Sequence, residues 1–189
     1  MVNAASEVTN VGDEEVKSYE FYVVSPKKFT ILFLSTLGLY SIYWSYQNWS
    51  LYKKSVGSDV WPIARGIFDI LFLHSLCDKI SSLISSSQKE RSALEWQAIQ
   101  YVLLVIVSGI CDRLAMKELG LPYTHFASFF ILPFAYRALY KIQLRINYAM
   151  KDDFGEANAR FSWANYVWII LGILLCLVTI LDGLDSVVI

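Results

Sequence analysis

Arg65, Asp69, His74 and Asp78 are the residues whose types and spacing come nearest to chemistry. Arg65 and Asp69 are four apart, as are His74 and Asp78, so on one helix each pair meets on a single face. At about 100° per residue the first pair falls within about 40°, while His74, Asp78, Ser81 and Ser85 form a stripe on roughly the opposite side. An imidazole that titrates near neutral pH, beside a carboxylate that fixes its tautomer, can pass protons or ions. The plainer alternative is a structural pair near a helix end, with the long side chain reaching back to water. A second constellation is the stripe Arg137, Lys141 and Arg145, interleaved with Tyr136, Tyr140, Ile142, Leu144 and Tyr148. Such a stripe holds anionic lipid headgroups at about 1 kcal/mol per basic residue, or simply anchors a helix on its cytoplasmic side.

Other chemistry finds little support. His74, Cys77 and Asp78 share one turn, and Cys111, Asp112 and His125 could be brought alongside them. There is no HExxH and no paired Cys and His spacing, so neither a metal nor a cofactor is expected. Two histidines in different elements permit haem ligation only in principle. No GxSxG elbow and no Gly-rich phosphate loop is present, so catalytic residues are not assigned and an enzyme is not expected.

The elements that would position these groups follow from composition. The chain has 189 residues, which at about 150 per domain is one unit, with 56% hydrophobic and only 17% charged residues. A net charge of -1 leaves no field for phosphates, so nucleic acid is excluded as a partner. Cys77, Cys111 and Cys176 are odd in number and far apart, and they read as small core residues rather than disulfides.

Four stretches are long enough to cross a hydrocarbon core about 30 Å thick: 24 uncharged residues between Lys28 and Lys53, 16 between Glu95 and Asp112, 18 between Glu118 and Arg137, and 21 between Arg160 and Asp182. Trp44, Trp49, Trp96, Tyr123, Trp163 and Trp168 edge them as interfacial aromatics do. A fifth element, 62–84, is apolar but carries the first charged constellation. The expected fold is therefore an all-α polytopic transmembrane helix bundle of four spans plus a fifth. Its helices fall over about 29–49, 62–84, 96–113, 121–140 and 163–181, within a bundle covering 29–189. Residues 1–28 read as an acidic tail followed by a short extended or interfacial segment at Phe21–Val24, without the basic n-region of a cleaved signal peptide. Ser25 before Pro26 caps the first helix; Ser87 with Glu90, or Ser92 with Glu95, starts the third; Pro133 should kink the fourth. With five spans and a cytoplasmic N-terminus, eleven Lys and Arg fall inside against four outside, Lys53 and Lys54 among the latter; if 62–84 does not span, the N-terminus moves outside and the balance is eleven to five. Sliding the chain by 96 residues superposes Tyr40 on Tyr136, Gln47 on Gln143 and Tyr52 on Tyr148, too few identities to establish a duplication.

The stretch Ser25-Pro26-Lys27-Lys28-Phe29, then Thr36-Leu37-Gly38-Leu39-Tyr40-Ser41-Ile42-Tyr43-Trp44 and Asn48-Trp49, resembles a signature of small multi-pass proteins of the bacterial inner membrane grouped as domains of unknown function. The likeness extends through Trp61-Pro62-Ile63-Ala64-Arg65 and Asn158-Ala159-Arg160-Phe161-Ser162. It implies the bacterial inner membrane as location and carries over no catalytic residue. In that setting Gly38 would let another helix approach closely. The expected function is a non-enzymatic accessory or scaffold module whose partners are the lipid bilayer and other membrane proteins or copies of itself. The alternative is a small transporter or channel using Arg65, Asp69, His74 and Asp78.

Overall fold

A computed structural model describes residues 19–84 and 87–188, with side chains described through Leu184. The acidic tail over 1–18, Ser85 and the Asp185 side chain lie outside the described residues. Among those described there are seven α-helices and one 3-10 turn, Glu156–Asn158, and no strand.

The chain begins with an extended segment, 19–25, that leads into α1 (Pro26–Ser35). Ser25 is the N-cap, its hydroxyl accepting from the Lys28 N–H at 3.3 Å, and Pro26 follows in the first turn. The span expected over 29–49 is not one helix. It stops at Thr36 and restarts as α2 (Tyr40–Val56), running antiparallel to α1. Phe29 lies against Tyr40 and Trp44, and further back Tyr19 lies against Tyr52. The physical reason is a helix-ending motif: the Gly38 N–H reaches the Phe33 carbonyl and the Leu37 N–H the Leu34 carbonyl. Leu37 and Gly38 both take left-handed backbone there, at φ 51 and 88. Gly38 is thus a turn residue. A Cβ on it would meet Leu132 and Phe33 only at ordinary contact distances, 3.5 and 3.6 Å, so the expectation that it serves close helix approach is corrected.

The element expected over 62–84 is likewise two helices, α3 (Pro62–Ile67) and α4 (Asp69–Leu83). Phe68, at φ -100 and ψ 43, leaves the helical region and closes the first while capping the second. Gly66 of α3 seats on α2, where an added Cβ would come within 2.9 Å of the Tyr46 side chain. Asp69, first residue of α4, turns instead to α5, accepting from the Tyr101 hydroxyl at 3.2 Å. Leu83 and Ile84 then come back beside Tyr148 and Asp152. Both helix pairs are hairpins that enter and leave at one end of the molecule, called here the near end. The 50–61 connection, which a five-span arrangement puts opposite the N-terminal segment, lies at the same end: the Glu20 N–H donates to Ser55 Oγ.

Three long helices run past the hairpins. α5 (Gln88–Ala115) starts at Ser87, whose capping box with Glu90 selects that start over Ser92. It begins earlier than the expected 96. α6 (Tyr123–Ala149) continues through Pro133 without a break and outlasts the expected 140. α7 (Trp163–Val188) begins with Ser162 and Asn165 capping each other. At 1.5 Å per residue each is about 40 Å long. α5 and α6 are antiparallel, with Arg145 by Glu90 at one end and Ser128 by Asp112 at the other. The tip of the first hairpin meets α6 at Leu132, about 13 Å short of its start at Tyr123, and Asp69 meets α5 at Tyr101, about 21 Å short of Ala115. The core lies low, around Phe29, Phe33, Trp44, Trp49, Leu139, Ile142 and Ile146. Among the described residues the upper reaches of α5, α6 and α7 enclose no such core.

Candidate functional site

Between the two hairpin tips and the three long helices lies a cavity of about 610 Å³. Apolar walls come from Phe33, Ile42, Leu104, Val105, Phe129 and Leu132, and the polar groups fall into two sets. The inner set is Asp69, Tyr101 and Ser41, with Asp69 buried and accepting from the Tyr101 hydroxyl. The outer set is a chain in which Ser108 donates to Ser128 at 2.8 Å and Ser128 donates to Asp112. His125 stands beside it, with Nε2 2.8 Å from the Thr179 carbonyl on α7. A carbonyl only accepts, so Nε2 carries the proton; Nδ1 faces Asp182 at 3.8 Å. This lining offers carboxylate, hydroxyl and imidazole groups to hydrogen-bond donors and cations. Among the described residues no three His, Cys, Asp or Glu side chains gather as metal ligands would.

Of the charged residues singled out by spacing, only Asp69 reaches this cavity. Breaking the helix at Phe68 parts Arg65 from its i+4 neighbour, and the Arg65 guanidinium instead lies over the Trp49 ring at 4.1 Å and the Phe72 ring at 5.1 Å. His74 and Asp78 stand exposed on α4 and do not line it. The four residues therefore form no common path. Asp112 and His125, which spacing alone did not join to Asp69, do share its cavity. In the basic stripe, Lys141 and Arg145 border a separate groove between α5 and α6, with Arg145 3.4 Å from Glu90, while Arg137 is exposed outside it.

A second constellation, absent from the sequence reading, closes the near end. The extended segment 19–25 has no neighbouring strand, yet its backbone is held by side chains. Asn48 Oδ1 accepts from the Tyr22 N–H at 3.0 Å, and Gln143 Nε2 donates to the Tyr22 carbonyl at 3.1 Å. Asn147 takes both polar groups of Val24, at 3.4 and 3.0 Å. Asn158 Nδ2 donates to the Val23 carbonyl at 3.0 Å. The amides are tied to one another: Trp44 Nε1 donates to Gln143 Oε1, Gln143 donates to Asn147 at 2.6 Å, and Asn48 donates to the Trp44 carbonyl at 2.9 Å. The Lys28 ammonium joins the clasp through Asn158 Oδ1 at 2.6 Å and the Arg160 carbonyl at 2.8 Å. The signal for it was the i, i+4 spacing of Trp44 with Asn48 and of Gln143 with Asn147, uncharged amides inside apolar runs. Below it, the Asp152 carboxylate caps the 3-10 turn by accepting from the Glu156 and Ala157 N–H groups at 2.9 and 3.0 Å, which holds its pKa below the usual carboxylate value.

No protein-family model matches the chain, and neither curated proteins nor solved structures gave a match.

Proposed function

We propose that the chain is a multi-pass membrane protein of the bacterial inner membrane acting as a non-enzymatic accessory module that binds lipids or other membrane proteins. In this reading α5, α6 and α7 cross the bilayer and the two hairpins enter it from the cytoplasmic side and turn back. The observation that carries it is apolar surface left uncovered. α5 and α7 each contain a window apolar enough to span, and only 11% of either window is buried. Leu103, Ile106 and Ile110 on α5, Phe130 and Phe134 on α6, and Ile170, Leu174, Leu177, Val178 and Leu181 on α7 all face outward. A water-soluble monomer rarely exposes a contiguous apolar patch beyond about 600 Å², and a core helix of a soluble protein would be mostly covered. Charge supports the orientation: Arg113 and Lys117 are the cations at the far end, whereas Lys27, Lys28, Lys53, Lys54, Lys89, Arg91, Lys141, Arg145, Lys151 and Arg160 lie toward the near end. Purification from carbonate-washed membranes in mild detergent, followed by mass spectrometry, tests the reading. Retention in the membrane pellet with bound lipid or a stable membrane partner is expected. A folded protein in the aqueous supernatant, or one recovered from membranes bare and alone, overturns it.

One feature favours a small transporter or channel as a second reading. Two interrupted helical hairpins end at the inner wall of the cavity that holds Asp69, Asp112 and His125, the arrangement in which broken helices build midplane solute sites. Proteoliposome flux abolished by Asp69→Asn or Asp112→Asn but unaffected by His74→Ala would establish it; absence of flux for any tested ion or amine would remove it.

A further inference from the structure

One face of α5 runs along the cavity between the hairpin tips and the long helices. Tyr101, Leu104, Val105, Ser108, Gly109 and Asp112 all line it, at the three- and four-residue spacing of a single helical stripe. Each end of that stripe carries a carboxylate. At the inner end Asp69 accepts from Tyr101, and it keeps 9% of its surface open where it lines the cavity. At the outer end Asp112 is exposed and accepts from Ser128. Between them the walls are apolar, with Leu104 and Val105 on α5 and Leu132 on α6, and the Ser108 hydroxyl is turned to Ser128. No lysine or arginine lines the cavity, and among the described residues neither carboxylate has an ion-pair partner. A carboxylate facing a largely apolar space calls for a cation. A metal ion fits poorly, because no three ligating side chains gather among the described residues. A compact organic cation could serve one carboxylate but would leave the other bare, since Tyr101 and Asp112 are separated along α5 by a rise of about 16 Å. A ligand with an ammonium at each end and hydrocarbon between them serves both. A charge-assisted hydrogen bond of about 2.8 Å at each carboxylate leaves about 11 Å between the two nitrogens, close to the extended length of an eight-carbon diamine.

We infer that this cavity, the one on which the second reading above rests, binds a linear diamine: one ammonium at Asp69, the other at Asp112, and the alkyl chain along Leu104, Val105 and Leu132. The decisive comparison is between octamethylenediamine and aminooctanol, which share their length and one amine but differ in the second charge. Trimethylenediamine, with two charges and too short a chain to bridge the carboxylates, is the second control. Full-length protein in mild detergent is titrated by equilibrium dialysis with radiolabelled octamethylenediamine, and the other two compete for it. Octamethylenediamine should bind roughly tenfold more tightly than either control. Asp112→Asn, at an exposed position, should bring it down to the affinity of aminooctanol, and Asp69→Asn should weaken both. Gly109 supplies a test that leaves every charge in place. An added Cβ there meets nothing within 4 Å, so Gly109→Leu should elute as a monodisperse protein, fill the cavity and abolish binding of all three amines. Equal affinity of octamethylenediamine and aminooctanol for the parent protein, an unchanged preference in Asp112→Asn, or full binding by a monodisperse Gly109→Leu overturns the inference. If Gly109→Leu does not fold, Asp112→Asn decides alone. Diamine binding without flux in proteoliposomes removes the transport reading and leaves the site standing; flux that shows no preference for the long diamine keeps the transport reading and defeats the site.

Discussion

Asn147 spends its whole side-chain amide on the clasp: Oδ1 accepts from the Val24 N–H and from Gln143, while Nδ2 donates to the Val24 carbonyl. Val24 is fully buried, and a buried extended backbone without a neighbouring strand must find its partners among side chains. Replacing Asn147 by Leu keeps roughly the volume but leaves both polar groups of Val24 and one N–H of Gln143 unpaired. Each unpaired group costs about 1–3 kcal/mol, so Asn147→Leu should be among the most destabilising single changes, read as a fall in melting temperature of the detergent-solubilised protein. His74→Ala, at an exposed position on α4, should by contrast stay within about 0.5 kcal/mol of the parent. The contrast bears on what residue types reveal. Charges four apart attract notice because a charge in lipid demands an explanation, yet here Arg65 turns to the Trp49 ring and His74 and Asp78 stand exposed, while the neutral amides at the same spacing organise the near end. Nothing in the Gln143–Asn147 spacing says that a segment more than a hundred residues earlier in the chain will lie across it.

Local signals decide where helices begin, and long-range packing decides where they stop. Ser25 with Pro26, and Ser87 with Glu90, were legible because a cap is made by residues within one turn. The breaks at 36–39 and at Phe68 were not, since an uncharged run looks the same whether it crosses lipid once or doubles back. What makes the first hairpin viable is the approach of α7: an added Cβ on Gly172 would overlap the Ser35 carbonyl oxygen at the end of α1. Gly172→Leu should therefore force α7 off the hairpin, seen as loss of a monodisperse peak in size-exclusion chromatography and new proteolytic cleavage near residues 36–39. Gly155 plays the corresponding part below. A Cβ there would lie 2.5 Å from the backbone of Val24 and Ser25, so the turn capped by Asp152 packs directly on the clasp. Because the folded pKa of Asp152 is below its unfolded value of about 3.9, its carboxylate contributes stability that is fully present above that value and is lost as pH falls through the folded pKa. The melting-temperature gap between the parent and Asp152→Ala should hold steady from neutral pH to about pH 5 and narrow below about pH 4; a gap of constant size down to pH 3 would show that the cap does no such work.

At the scale of the molecule, the all-α class and the two most apolar helices followed from composition and charge spacing, which fix how much surface lipid or protein must cover. The helix breaks at 36–39 and at Phe68 did not follow, because they depend on which of the apolar runs turn back. Five crossings and three crossings with two re-entrant hairpins put the N-terminal segment on one side and the end of α7 on the other, so reporters near either end cannot separate them. The 50–61 connection can. A five-span chain places Lys53 and Lys54 outside, against the charge rule, whereas hairpins that return to the near end keep them with Lys28 and Arg145 and leave only Arg113 and Lys117 on the far side. A pair of topology reporters, one active in the cytoplasm and one outside it, fused after Ser58 and after Leu119, therefore gives opposite readings for the two arrangements at the first site and the same reading at the second. The proposed three-crossing arrangement predicts a cytoplasmic signal after Ser58 and an external one after Leu119. An external signal at both positions would mean that α1 and α2 cross the bilayer together as a single element, and the two-hairpin arrangement would have to be abandoned.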